Sequence, residues 1–131
     1  MDTGSVIHAR IEVDDACLRR WPLPQPDADG DKEQRGRVLV IAGSREMPGA
    51  LILAANAALN AGAGKLTVAT AASVARLVAT ALPEARVIEL PETDAGGVAE
   101  GAIECVRDVF SRVDAVLIGP GMQDEATVCD F

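Results

Sequence analysis

Residues 36–64 constrain the fold of this chain more than any other segment. They begin with an apolar run at positions 38–42, pass through a glycine loop that contains Gly43, and continue into an alanine-rich stretch that opens at Pro48. An apolar run without polar interruption predicts a strand covered on both faces. Proline favours the first position of a helix. The segment therefore predicts a strand, a glycine loop and a helix, with Gly62 and Gly64 ending the helix.

The same alternation continues along the chain. Apolar stretches at 66–69, 86–90 and 115–118 predict three more strands. The strand at 86–90 is expected nearer an edge of the sheet, because its apolar and polar residues partly alternate. Ser73 is a candidate N-cap for a helix that Pro83 ends, and apolar residues recur at helical spacing between 98 and 110. Strands that alternate with helices predict an α/β fold: a three-layer, mostly parallel sheet with helices on both faces.

Composition limits the classes of partner. Hydrophobic residues make up 49% of the 131 positions and aromatic residues only 2%, so a folded core must be aliphatic. The net charge of −8 argues against nucleic acid and against an anionic membrane surface. Cys17, Cys105 and Cys129 lack metal-ligand spacing and indicate free thiols. With no signal peptide and no apolar run long enough to span a bilayer, we expect a cytoplasmic protein.

The chain divides into two parts. Residues 1–35 are predicted to form an N-terminal arm and linker, since the prolines at 22–26 exclude helix and central strand. Trp21 is interpreted as an anchor that holds this arm against the domain. Residues 36–131 form the predicted domain, whose end at Phe131 leaves the fourth strand without a full covering helix. We therefore expect the first half of a larger α/β domain.

Two glycine-rich turns are the candidate binding elements. One runs from Gly43 to Ala50, and the other is the Gly-Pro-Gly turn at 119–121. Both follow predicted strands, and ligands of open α/β sheets bind beyond the carboxyl ends of the strands. Free N–H groups and a helix N-terminus there suit an anionic, nucleotide-like ligand. Ordinary strand-to-helix turns remain the alternative, and the spacing does not match a dinucleotide-binding G-x-G-x-x-G motif.

Other candidates carry no predicted chemistry. Residues 60–67 superficially resemble a phosphate-binding P-loop, but Leu59 and Leu66 stand where that motif requires glycine and a hydroxyl residue. His8 is the one histidine and has no partner nearby in sequence. No convergent set of acidic residues indicates a metal site, and Ser44 has no base near it. We therefore assign no catalytic residue and no metal ligand.

Taken together, the ordered motifs resemble those of the ADP-dependent NAD(P)H-hydrate dehydratases, which are ribokinase-like proteins. The matching segments are 36–44, 47–50, 57–65, 83–86 and 114–121. The resemblance implies dehydration of the S-epimer of hydrated NADH or NADPH, with ADP (ATP in some members) as co-substrate and Mg2+ as cofactor. It also implies that Ala50 and Gly121 contact the substrate. We include the adjoining Gly49 and Gly119 in the predicted substrate site.

The sequence also departs from the family pattern. Ala42 replaces a glycine, Asn60 stands where a basic residue is common, and Met122-Gln123 replace the usual Leu-Gly after the Gly-Pro-Gly turn. The family's later motifs, including its catalytic aspartate, would lie beyond Phe131. We therefore expect a truncated fragment that is inert alone. The alternative is a non-catalytic or vestigial nucleotide-binding module, and a homo-oligomer is left open.

Overall fold

The computed structural model describes residues 11–22 and 35–123. The helices are α1 (Asp15–Arg20), α2 (Pro48–Asn60), α3 (Ala72–Ala81), a 3-10 helix (Ala102–Val106) and the short α4 (Arg107–Phe110). The strands are β1 (Arg37–Ile41), β2 (Lys65–Ala71), β3 (Ala85–Leu90) and β4 (Ala115–Ile118). All four predicted strands are therefore confirmed, within two residues at each end.

The four strands form one parallel sheet in the order β3-β2-β1-β4. The chain moves outward from β1 to β2 and β3, then crosses back to place β4 on the other side of β1. The strand order therefore reverses between β1 and β4. A crevice opens at such a reversal beyond the carboxyl ends of the strands, and it is the usual ligand site of open α/β sheets.

Two aliphatic layers cover the sheet. On one face, Val40 and Val68 pack with Leu51 of α2 and Val78 of α3 in a buried cluster. On the other face, a second cluster joins the sheet to the 3-10 helix and the segment before it through Leu39, Ile41, Ala69, Leu90, Val98, Ala102 and Val106. Alternate residues of β1 therefore enter opposite cores, as the period of a strand requires. The predicted three-layer architecture is confirmed.

The sheet has two dissimilar edges. β3 is the outer strand on one side, as its partial alternation predicted, and Glu89 on it is exposed. β4 is the outer strand on the other side, and all four of its residues are exposed. The apolar side chains of β4 are therefore much less covered than those of β1, which are fully buried from Leu39 to Ile41.

Several local predictions were wrong. The helical spacing at 98–110 does not form one helix, because Gly101 adopts a left-handed φ of 76° and a 3-10 turn follows it. Ser73 lies inside α3, whose N-cap is Ala71 without a side-chain cap. Trp21 is 77% exposed, so it is no anchor among the described residues.

Helix α2 is less buried than its apolar composition would suggest. The helix is almost entirely apolar, yet only Leu51 and Ala55 are fully buried, and Leu53 is 74% exposed. The solvent-facing side of α2 is therefore apolar. Among the described residues, no helix has the length and hydropathy needed to cross a bilayer. His8, Cys129 and the acidic residues after position 123 lie outside the described residues.

Candidate functional site

The loop between β1 and α2 forms one wall of the crevice. Its Gly43 has a φ of 77°, and a Cβ there would lie 3.0 Å from the Thr70 hydroxyl and 3.3 Å from the Leu51 Cβ. The backbone conformation therefore favours glycine, and a Cβ would fit only tightly. Ser44 is fully buried, and its hydroxyl accepts a hydrogen bond from the Met47 N–H at 3.3 Å. The loop is thus tightly held before the helix begins.

The turn after β4 forms the other wall. Gly119 and Gly121 both have positive φ, 122° and 71°. A Cβ on Gly121 would lie 2.7 Å from the Ala50 Cβ and 2.8 Å from the Met47 carbonyl oxygen. The turn therefore lies directly against the first turn of α2, with room for a hydrogen atom only at Gly121.

Hydrogen bonds join the two walls. The Gly43 N–H donates to the Pro120 carbonyl oxygen at 2.8 Å, and the Gly119 N–H donates to the Ile41 carbonyl oxygen at 3.1 Å. The Gln123 side-chain amide donates to the Glu46 carboxylate at 3.1 Å. The two turns, each expected at the carboxyl end of a strand, therefore meet at one end of the sheet. Gln123, a departure from the family pattern, is one of the residues that connect them.

The N-terminus of α2 faces this junction. Pro48 occupies the first helical position and has no N–H, while Gly49 and Ala50 lie in the first turn, whose N–H groups lack intrahelical partners. No acidic side chain lies in that turn and no side chain caps it. The positive end of the helix dipole is therefore not neutralised within the helix. Such an end attracts an anionic group.

The four predicted substrate-site residues cluster around this junction. Gly49 is exposed, whereas Ala50, Gly119 and Gly121 are partly buried. Ala50 and Gly121 are in direct contact, because a Cβ added to Gly121 would lie only 2.7 Å from the Ala50 Cβ. Their role in substrate binding stays a prediction.

An ionic network that the sequence did not predict lies behind the loop between β1 and α2. The Arg45 guanidinium pairs with the Glu92 carboxylate and donates to the Asp94 carbonyl oxygen at 3.1 Å. Glu92 also accepts from the Ser73 N–H at 2.9 Å. Hydrogen bonds from Ser73, and to a smaller extent the Arg45 guanidinium, hold the pKa of Glu92 below its ordinary value. The network therefore connects the β1 loop with the start of α3 and the segment after β3.

Gly96 explains why this network was missed. Gly96 has a φ of 93°, and a Cβ on it would lie 2.6 Å from the Arg45 Cβ. The Arg45 N–H also donates to the Gly96 carbonyl oxygen at 2.9 Å. The glycine is needed for a close approach between segments 51 positions apart. Nothing local in the sequence indicates that contact.

A catalytic or metal centre does not emerge from the described residues. Across 11–22 and 35–123, no three histidine, cysteine, aspartate or glutamate side chains come together to hold a metal ion. The Thr70 hydroxyl is buried beside Gly43 and has no hydrogen-bond partner among the described residues. We therefore assign neither a Mg2+ ligand nor a general base to the crevice.

Comparison with known proteins identifies the family of this chain. A family model described as NAD(P)H-hydrate dehydratase matches residues 38–131. An ADP-dependent (S)-NAD(P)H-hydrate dehydratase from Xanthomonas campestris is 53% identical over 112 residues, which are 86% of this chain and 38% of that relative. The chain therefore spans well under half the length of that protein.

Solved structures share the fold. A ribokinase-like protein from Enterococcus faecalis aligns with a TM-score of 0.64 and 32% identity, over 79% of this chain and 33% of that one. An ADP/ATP-dependent NAD(P)H-hydrate dehydratase from Bacillus subtilis, co-crystallised with ATP and Mg2+, aligns with a TM-score of 0.52 and 27% identity, over 79% and 43% of the two chains. Sequence match and shared fold together show that this chain belongs to the NAD(P)H-hydrate dehydratase family, within the ribokinase-like fold.

Proposed function

We propose that this chain forms the substrate-binding part of an enzyme that removes water from the S-epimer of hydrated NADH or NADPH. The observation that carries the proposal is the contact of the Gly121 turn with the first turn of α2. A dinucleotide has a diphosphate at its centre, and the uncapped end of α2 presents N–H groups and a positive dipole to such a group.

The two walls have separate tasks in this proposal. Gly49 and Ala50 donate backbone hydrogen bonds toward the diphosphate, and Gly119 and Gly121 let the opposite wall approach the ligand closely. The Arg45–Glu92 pair holds the first wall in place. Each of these contributions positions the substrate, which lowers the barrier by orienting reacting groups without entering the chemistry.

The co-substrate is assigned by family membership. The Xanthomonas relative is named ADP-dependent, and the Bacillus structure was obtained with ATP and Mg2+. We propose that ADP is the co-substrate here too and that Mg2+ accompanies the nucleotide. Transfer of the terminal phosphoryl group of ADP to the hydroxyl of the hydrate would release AMP, and that oxygen would then leave the ring as inorganic phosphate. No described residue is given the task of binding either. The unpaired thiols of Cys17 and Cys105 suit the reducing cytoplasm, where we place the activity.

A chimera tests the activity. Residues 38–123 of this chain would replace the matching part of the Xanthomonas relative, and recovery of reduced-nicotinamide absorbance would be followed with S-hydrate, ADP and Mg2+. We expect an active chimera, and we expect Gly121→Ala in it to lower kcat/KM at least roughly tenfold, about 1.4 kcal/mol of transition-state binding. The matched control is Gly101→Ala, whose φ is 76° and whose Cβ would meet nothing within 4 Å.

The outcomes separate the alternatives. A folded chimera that binds NADPH but does not dehydrate the hydrate would favour a non-catalytic nucleotide-binding module. A folded chimera that neither binds nor reacts would refute the proposal. Equal losses of kcat/KM in the Gly121→Ala and Gly101→Ala chimeras would show that the activity does not depend on the contact between the Gly121 turn and α2.

A further inference from the structure

A cavity lies at the opposite end of the strands from the glycine loops. It has a volume of about 340 Å³ and is lined by the first residues of β1 and β2, by β3, and by α4 with the residues that follow it. Four cationic side chains border it, Arg37, Lys65, Arg86 and Arg112, against one acidic side chain, Asp108. In a chain with a net charge of −8, this concentration of positive charge is local and opposite to the average.

The sheet register explains how the cations come together. Arg37 lies directly opposite Lys65 on neighbouring strands, and Thr67 lies opposite Arg86. Residues at i and i+2 of a strand share a face, so these four strand residues all emerge on the face covered by the 3-10 helix and α4. Arg112, which follows α4, reaches the cavity from that covering layer. Leu39, two positions beyond Arg37, is fully buried in the core of that face. The face therefore changes from aliphatic to cationic within one step along β1.

Placing two cations opposite each other is unfavourable by itself. Like charges that face one another on adjacent strands repel and destabilise the sheet. An anion held between them offsets that repulsion, whatever other contacts the two side chains make. An anion in the cavity would add its own attraction to both side chains.

The backbone around the cavity is firmly held. The Arg37 N–H donates to the Asp114 carboxylate at 2.8 Å, and the Asp114 N–H donates to the Arg37 carbonyl oxygen at 2.9 Å. The N–H groups of Gly64 and Lys65 both donate to the Gly36 carbonyl oxygen, at 3.0 and 3.1 Å. Three of the segments that carry the cations are thus fixed to one another, which lowers the entropy lost when a ligand binds.

We propose that this cavity binds a small phosphorylated ligand that carries at least two negative charges. Arginine forks bind phosphate oxygens in pairs, and three of the four cations are arginines. The Thr67 hydroxyl adds a polar donor, while Val109 and Val113 give the cavity an apolar wall. The volume suits a small molecule rather than a polymer. The site is separate from the glycine-loop crevice and does not depend on the function proposed for that crevice.

Calorimetric titration of the 131-residue chain with pyrophosphate tests the proposal. We expect saturable binding at about 1 mM ligand or below, weakened by added salt because the attraction is between exposed charges. The double variant Arg86→Gln/Arg112→Gln should bind at least roughly tenfold more weakly, since it removes charged hydrogen-bond donors. Both side chains are exposed, so folding should survive, which circular dichroism would check.

The matched control is Arg19→Gln/Arg76→Gln, which removes two exposed cations from α1 and α3, away from the cavity lining. It changes the net charge equally, and we expect it to bind pyrophosphate as the parent chain does. Equal weakening in the two double variants would show a diffuse charge effect and overturn the proposal. Unchanged binding in Arg86→Gln/Arg112→Gln would place the ligand elsewhere and overturn it as well, as would the absence of saturable binding.

Discussion

The contact between the Gly121 turn and α2 yields a quantitative prediction. At a φ of 71°, any residue other than glycine is strained, and this left-handed conformation costs roughly 1–2 kcal/mol of stability. A Cβ there would also meet the Ala50 Cβ at 2.7 Å and the Met47 carbonyl oxygen at 2.8 Å, so one wall of the crevice must shift. Overpacking of this kind destabilises by roughly 1–3 kcal/mol. We expect Gly121→Ala to lower the free energy of unfolding by about 2–5 kcal/mol.

Gly101→Ala measures the cost of the left-handed backbone conformation separately from the cost of overpacking. Gly101 has a φ of 76°, and its Cβ would meet nothing within 4 Å, so only the roughly 1–2 kcal/mol of backbone strain applies. Urea unfolding followed by circular dichroism gives both free energies from one procedure. A difference of about 1–3 kcal/mol between the variants is expected. If the two variants lose the same stability, the turn does not press against α2 and the crevice as described is wrong.

Three further outcomes are expected, each read from urea unfolding. Leu39→Ala should lose about 2–5 kcal/mol because its side chain is fully buried, whereas Leu53→Ala, 74% exposed on α2, should change stability by less than about 0.5 kcal/mol. Thr70→Val should leave stability unchanged or raise it, because it removes a buried hydroxyl without a described partner; a loss above about 1 kcal/mol would contradict this. Because its pKa is lowered on folding, Glu92 stabilises the chain above about pH 4.5, and this contribution is lost as the pH falls through its folded pKa. Glu92→Gln should therefore flatten the loss of stability in acid, and an unchanged pH dependence would contradict this.

Local patterns were enough to predict the strands and the glycine loops. The run at 38–42 and the proline at 48 each encode their own structure within a few residues, because burial on both faces and the fixed φ of proline act locally. The positions of the Gly43 loop and the Gly119 turn at strand ends followed in the same way. These local features placed both glycine turns at the carboxyl ends of strands.

Long-range features could not be predicted in that way. The placement of β4 beside β1 depends on a crossover, and the Arg45–Glu92 pair joins residues 47 positions apart. The segment at 98–110 has helical spacing, yet Gly101 in the left-handed region replaces one helix with a 3-10 turn and a short α4. The cationic cavity was missed because its members come from the starts of different strands. In each case, tertiary packing decided what periodicity alone left open.

Amide NMR of the 131-residue chain during titration with NADPH tests the central claim most directly. The account predicts that the resonances that move most belong to Gly43, Gly49, Ala50 and Gly121, since their backbone surrounds one crevice at the carboxyl ends of β1 and β4. Saturable shifts confined to the other end of the strands, around Arg86, would contradict it. So would the absence of any shift in the two glycine turns at about 1 mM NADPH, the upper end of the usual range of KM values for metabolites.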